Sequence, residues 1–163
     1  MEIVFTSNSP EETTGAGKKL AHFLAPGDLL LFSGELGGGK TTFISGLAEG
    51  LRISGELSSP SFTILNQYSK GKIRFIHADL YRLDGLVEFD NIGLDEYIYH
   101  PRCITCIEWG EKAIGSIKKD YLLLDFQYVL DEDSIEKRKI IFKGSSPEWE
   151  KRLKKIEAVL NRQ

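Results

Sequence analysis

No stretch of the chain stays apolar for the roughly 20 residues that a membrane-spanning helix requires. The start, Met1-Glu2-Ile3-Val4-Phe5, has an acidic residue where a signal peptide carries its basic region. Both absences point to a cytoplasmic protein that meets no membrane. Cysteine is scarce as well: Cys103 and Cys106 are the only two in 163 residues, too few for a disulfide framework. Their Cys-x-x-Cys spacing invites a redox or zinc reading. On a strand, however, an odd separation sends the two sulfurs to opposite faces, so they are expected to be buried free thiols. Excess positive charge is missing too. With 21 Lys and Arg against 24 Asp and Glu the net charge is −3, which argues against non-specific nucleic-acid binding by the domain as a whole and leaves only local contact. An Asn-Lys-x-Asp guanine motif is absent, which disfavours a GTPase switch. There is no internal repeat, low-complexity segment or linker, so residues 1–163 are read as one domain, long enough to bury roughly 70% of its unfolded surface.

What the chain does have is Gly34-Glu35-Leu36-Gly37-Gly38-Gly39-Lys40-Thr41-Thr42, the spacing of a phosphate-binding loop. It follows an apolar strand over residues 28–32 and precedes a helix expected over 42–51. Glycines allow the backbone to turn its N–H groups inward toward phosphate oxygens, while the new helix directs its positive dipole end at the same anion. Gly37, Gly38, Gly39, Lys40, Thr41 and Thr42 are therefore the expected nucleotide contacts. Lys40 reaches the β- and γ-phosphates and Thr41 offers its hydroxyl to Mg²⁺. A chance glycine turn ahead of a lysine would lack the strand before it and the helix after it.

Ahead of the loop, residues 2–6 read as a strand, and Ser9-Pro10-Glu11-Glu12 opens a helix with an N-cap serine, proline at the first helical position and a glutamate three residues after the cap. Leu20, Phe23 and Leu24 form its apolar stripe. Beyond the loop helix lies the hydroxyl-rich run Ser58-Ser59-Pro60-Ser61-Phe62-Thr63. Residues 62–68 and 72–78 then suit a hairpin turning at Ser69-Lys70-Gly71. Residues 84–99 form a polar connection broken at Asn91-Ile92-Gly93. Residues 121–129 and 134–142 make a further strand pair, the first of them reading as buried on both faces. Ser146-Pro147-Glu148 starts a last helix whose Trp149, Leu153, Ile156 and Leu160 share one stripe, with Lys151, Arg152, Lys154 and Lys155 around it. The basic residues suit either a solvated face or a local surface for RNA or an acidic partner.

Two acids stand at strand ends. Asp79 closes the hairpin's second strand, where such enzymes place a metal-binding or water-orienting carboxylate, although an aspartate there also serves as a turn cap. Glu108 closes the β-branched strand Cys103-Ile104-Thr105-Cys106-Ile107-Glu108 and is the leading Mg²⁺-side carboxylate, with Thr41 as its partner. Lys40, Asp79 and Glu108 are the candidate catalytic residues. Trp109 suits the core, or a position that feels bound nucleotide.

The glycine loop, Ser59-Pro60-Ser61-Phe62-Thr63, His77-Ala78-Asp79-Leu80-Tyr81-Arg82-Leu83 and Ile107-Glu108-Trp109, in that order, closely resemble the TsaE family, formerly called YjeE. The resemblance implies a P-loop NTPase-type α/β fold, a three-layer sandwich with a mixed, mainly parallel central sheet and flanking helices. It also implies ATP and Mg²⁺ as ligands and a bacterial ATPase role in making threonylcarbamoyladenosine in tRNA. The implied partner is a complex of TsaB and TsaD, reset by ATP hydrolysis between rounds, with any tRNA contact indirect or local. By the same resemblance Asp79 is a catalytic acid, Thr41 and Glu108 are the Mg²⁺ side, and residues 59–63 are a switch-like segment near the γ-phosphate. The adenine is expected near residues 9–13 and 131–134. Gly38, Ser61 and Ala78 depart from the family's usual alanine, threonine and larger apolar residue. Arg82 is either a cation for the transition state or part of a structural corner. A small-molecule kinase is the main rival, but between the loop helix and Arg74 only Arg52 could serve an arginine-bearing lid. A module that holds ATP without turnover fits the paired acids less well.

Overall fold

The structure is a computed structural model that describes residues 1–53, 55, 57, 60, 64–83, 92–129 and 137–161. Its frame is a seven-stranded sheet in the order β1-β7-β6-β2-β5-β4-β3. The strands are β1 (Glu2–Ser7), β2 (Leu29–Gly34), β3 (Leu65–Lys70), β4 (Ile73–Asp79), β5 (Cys103–Glu108), β6 (Leu122–Tyr128) and β7 (Arg138–Gly144). The four central strands β6, β2, β5 and β4 run parallel, and the border pairings β1–β7, β7–β6 and β3–β4 are antiparallel. This is the mixed sheet expected from the sequence, parallel at its centre.

Helices α1 (Pro10–Ala21), α2 (Lys40–Gly50) and α4 (Pro147–Leu160) cover one face, and α3 (Leu94–Ile98) with a 3-10 turn (Gly110–Ala113) lies on the other. The central strands β2 and β5 are buried on both faces, which is why they read as unbroken apolar runs. Between them they feed both cores: Leu30, Phe32, Ile104 and Cys106 pack toward the long helices, and Leu29, Leu31 and Ile107 toward α3. The cysteines are free and buried, and the sulfur of Cys106 lies in the first of these cores. Burial pushes both thiols up from their ordinary values, so neither is a ready nucleophile.

Several local expectations need adjustment. β6 is not buried on both faces: Leu122, Leu124 and Phe126 are buried and alternate with half-buried Leu123 and Asp125. One side of this strand faces the main core and the other meets only the thin layer around Tyr121 and the 3-10 turn. The β3–β4 hairpin turns at Gly71-Lys72, where Gly71 takes the left-handed φ of 57°. Helix α1 is capped by the Ser9 hydroxyl, which accepts from Glu12 N at 3.2 Å, but it ends before Phe23 and Leu24, which pack on the core from beyond its last turn. In α4 the apolar stripe is as read. Of the basic residues around it, Arg152 donates to Asp28 Oδ2 at 2.6 Å and lies over the Trp149 ring, while Lys151, Lys154 and Lys155 are exposed. Most of residues 58–63, the connection 84–91 and the turn 131–134 fall outside the described residues.

Helices α1 and α2 lie backbone to backbone, and that contact fixes where the phosphate loop sits. A Cβ on Gly17 would stand 2.3 Å from Phe43 O, and one on Gly46 would stand 2.2 Å from Thr14 O. Gly46→Ala should therefore destabilise the protein by about 3 kcal/mol: a backbone clash outweighs the roughly 1 kcal/mol gained in helix propensity. A urea titration is the check, with the midpoint expected to fall at unchanged slope. An unmoved midpoint would contradict this packing.

Candidate active site

The loop between β2 and α2 closes on three glycine conformations. Gly34, Gly37 and Gly39 have φ of 115°, 73° and 101°, values that side chains rarely adopt, and they turn the chain back over the start of α2. Gly39 is the N-cap of α2 and supplies no side-chain cap, and the first turn of α2 contains no acid. The other two long helices begin with a capping serine and acidic residues. The first amides of α2 thus keep their hydrogen-bonding capacity and the positive end of the dipole is not offset, a cradle for an anion. Helix α2 begins at Lys40, two residues earlier than its apolar residues alone suggest, because the glycine cap starts the helical turn before Phe43, the first buried apolar side chain.

Lys40 is 4% exposed and donates to Gly34 O at 2.6 Å and Glu35 O at 2.8 Å, with its ammonium 4.4 Å from the centre of the Trp109 ring. Burial lowers its pKa from the ordinary lysine value, and the carboxylates of Glu108, Glu111 and Asp79 oppose that shift. Trp109 holds a left-handed φ of 58°, uncommon for a bulky residue. Such a conformation costs on the order of 1–3 kcal/mol and is retained where neighbours fix it. Here Tyr81 lies against the ring at 5.2 Å between centroids, and Lys40 lies over it.

Thr41 donates its hydroxyl hydrogen to Glu108 Oε1 at 2.7 Å. The same oxygen is 2.8 Å from His77 Nε2. Asp79 pairs in register with Glu108 across β4 and β5, and its Oδ1 accepts from Tyr81 N at 2.9 Å. A cavity of about 190 Å³ is lined by Leu36 to Thr42 together with Asp79, Glu108 and Trp109, so the loop residues Gly37 to Thr42 and the two acids lie around one space. A second cavity of about 150 Å³, lined by Pro10, Thr13, Gly37, Gly39, Thr42 and Arg138, adjoins the first through the loop residues they share. The guanidinium of Arg138 lies 4.2 Å from the centre of the Tyr128 ring, and Tyr128 Oη donates to Leu36 O.

The donor set suits Mg²⁺. Thr41 gives its one hydrogen to Glu108, which leaves the lone pairs of the hydroxyl for a cation, and a hydroxyl beside a carboxylate is the hard-oxygen pairing that Mg²⁺ takes along with phosphates and water. Among the described residues no group of three or more His, Cys, Asp and Glu could hold a metal without such help. The expectations that reach outside the described residues are those for Ser59, Ser61 to Thr63 and the turn 131–134.

Sequence reasoning passed over three side chains. His77 stands in the sequence only as one letter of a longer motif, although its spacing of two from Asp79 puts both on one face of β4. Lys112 donates to Leu80 O, Tyr81 O and Leu83 O, pinning the turn that follows Asp79 to the 3-10 turn, and no motif marks it. Glu111 has its pKa raised by burial, with Lys40 and Lys112 acting the other way.

Comparison with known proteins comes to the same place. A family model described as "Threonylcarbamoyl adenosine biosynthesis protein TsaE" matches residues 7–140. The tRNA threonylcarbamoyladenosine biosynthesis protein TsaE of Bacillus subtilis is 37% identical over 149 residues, covering 91% of this chain and 90% of that protein. The protein of the same name from Streptomyces coelicolor is 36% identical, covering 82% and 90%. Among solved structures, the crystal structure of Bacillus subtilis YdiB superposes with a TM-score of 0.80 at 30% identity, covering 97% of this chain and 95% of that one.

Proposed function

The chain belongs to the TsaE family, with its role in tRNA threonylcarbamoyladenosine biosynthesis, and on that premise we propose that it binds ATP with Mg²⁺, hydrolyses it slowly, and acts on a complex of TsaB and TsaD to permit repeated turnover. The observation that carries this reading is the 2.7 Å contact from Thr41 to Glu108 at the mouth of α2, beside Lys40 in one cavity. It joins the phosphate grip to a carboxylate delivered by a different strand.

Each residue has a role in the proposal. The amides of Gly37 to Thr42 and the ammonium of Lys40 hold the β- and γ-phosphates, and Lys40 exchanges its bonds to Gly34 O and Glu35 O for phosphate oxygens. Thr41 and Glu108 hold the Mg²⁺ side. Bound there, Mg²⁺ neutralises phosphate charge. Because Glu108 is tied to Thr41, Asp79 is the acid that orients the attacking water, held in place by Tyr81 N. The water oxygen bonds to the γ-phosphorus as the bond to the β–γ bridging oxygen breaks, a proton of the water passes to solvent, and ADP and inorganic phosphate leave. The second cavity, between Pro10, Thr13 and Arg138, takes the nucleoside end. Among the described residues no helix is long and apolar enough to cross a membrane.

Lys40 is the one cationic side chain among the described residues lining the phosphate cavity. All three protons of Lys112 are taken by carbonyls. One cation leaves transition-state charge incompletely met, so hydrolysis by the chain alone is expected to be slow and to change when TsaB and TsaD are added. Phosphate release measured with and without the two partners tests this. A fast rate that the partners do not alter would count against it, and transfer of the phosphoryl group to anything other than water would favour a kinase.

A further inference from the structure

His77 lies on β4, one strand in from the edge of the sheet, with no solvent exposure. Its Nε2 meets Glu108 Oε1 at 2.8 Å, while Nδ1 is buried and has no hydrogen-bond partner among the described residues. A carboxylate only accepts, so Nε2 carries a hydrogen and donates it to Glu108. An unpartnered nitrogen in the interior is destabilising by about 1–3 kcal/mol, and an apolar side chain of similar volume would avoid that penalty. What such a side chain could not supply is the bond to Glu108.

That bond has a directional consequence. The hydroxyl of Thr41 and Nε2 of His77 both donate to Oε1 of Glu108, and Oε2 takes neither. Two donors from separate elements, α2 and β4, converge on one oxygen and thereby set the rotation of the carboxylate about its last bond. The backbone assists: β4 and β5 are in parallel register, with His77 opposite Cys106 and Asp79 opposite Glu108, so the ring reaches Glu108 from one step down the neighbouring strand. Thr41 belongs to the phosphate loop and the first turn of α2, whereas His77 stands on β4 of the sheet. The histidine is thus the donor supplied from outside the phosphate loop.

We infer that His77 is a positioning residue for the metal side of the site: its Nε2–H fixes Glu108 Oε1 so that the carboxylate is presented to Mg²⁺ in one orientation. The inference rests on the assignment of Thr41 and Glu108 to Mg²⁺. Partners that orient a ligand in this way typically change metal affinity about 10- to 100-fold when removed.

The test uses the whole chain with ADP and Mn²⁺ as probes. Metal-free ADP affinity is read by calorimetry, and Mn²⁺ binding to the ADP complex by loss of the free-ion electron paramagnetic resonance signal, with Mg²⁺ as competitor. In His77→Leu, ADP affinity without metal should stay within about twofold, while Mn²⁺ affinity falls about 10- to 100-fold. His77→Gln, whose amide nitrogen reaches as far as Nε2, should recover most of that affinity. His77→Asn, one methylene shorter, should not. If the leucine variant does not fold, the glutamine and asparagine pair decides the matter, because both are polar and only one reaches Glu108. Equal Mn²⁺ affinity in the unsubstituted protein and in every folded variant would overturn the inference. An unsubstituted protein that binds ADP but no Mn²⁺ would remove the metal assignment and this inference together. One that binds no ADP would remove the ATP reading itself.

Discussion

Lys40→Ala should lower ATP hydrolysis by about two to three orders of magnitude, the loss expected when a fixed charge aimed at developing phosphate charge is removed from a secluded site. The effect on folding should be much smaller. Lys40 is buried and bonded to two carbonyls, so the substitution discards two hydrogen bonds and a ring contact. It also removes a cation whose burial is unfavourable, as the downward direction of its pKa records. These opposing terms are each about 1–3 kcal/mol, and they offset one another. Single-turnover hydrolysis and thermal unfolding, measured on the same preparation, separate the two. Equal turnover in the two proteins would remove Lys40 from the site, and a collapse of stability with residual turnover would make it a structural residue.

Replacing Glu108 divides charge from geometry. Glu108→Ala leaves the half-buried Thr41 hydroxyl and the fully buried His77 Nε2 without their acceptor. The orphaned histidine donor alone costs about 1–3 kcal/mol, so this variant should lose both stability and activity. Glu108→Gln keeps an oxygen for both donors and discards only the negative charge. It should unfold close to the parent's temperature and yet hydrolyse ATP at least about 100-fold more slowly, since a neutral amide is a poor ligand for Mg²⁺. A glutamine variant that turns over at the parent's rate would show that the charge at this position is not used, and the metal side would have to be sought elsewhere.

Much of this site is legible in the sequence because its parts are local. The loop from Gly34 to Thr42 announces itself through glycines that must take positive φ, and the acids Asp79 and Glu108 through their place at the ends of apolar strands. The α4 stripe of Trp149, Leu153, Ile156 and Leu160 is equally plain, since one helical period decides it. What the sequence conceals is long-range. His77 meets Glu108 across 31 positions and Lys112 reaches Leu80 across 32, and nothing near either residue declares its partner. The near-contact of α1 and α2 at Gly17 and Gly46 is hidden for another reason. A glycine inside a helix reads as a weak helix former, and only the opposing backbone at 2.2 Å explains why no larger residue stands at Gly46. The two-sided burial expected for β6 failed similarly. The run Leu122-Leu123-Leu124 is apolar enough for a central strand, but only the thin layer around Tyr121 covers its second face, and Leu123 stays half-buried.

Leu36 illustrates how the site meets its surroundings. It is 68% exposed at the rim of the phosphate cavity, in a loop whose glycines serve the nucleotide. An apolar side chain there does nothing for phosphate. Together with the half-buried Trp109, which also lines the cavity and carries the exposed Tyr81 against its ring, it gives the cavity an apolar border, the kind of rim that the proposed action on another protein would use.

The central claim is that ATP turnover at this loop lets the modifying complex work repeatedly. Its most direct test is the number of modified tRNA molecules formed per TsaB–TsaD complex when tRNA is in excess and ATP is present. Addition of the unsubstituted chain should carry the reaction through many rounds. Omission of the chain, or its replacement by the Lys40→Ala variant, should leave the reaction near one round. Sustained modification without the chain, or equal yields with the parent and the alanine variant, would contradict the claim.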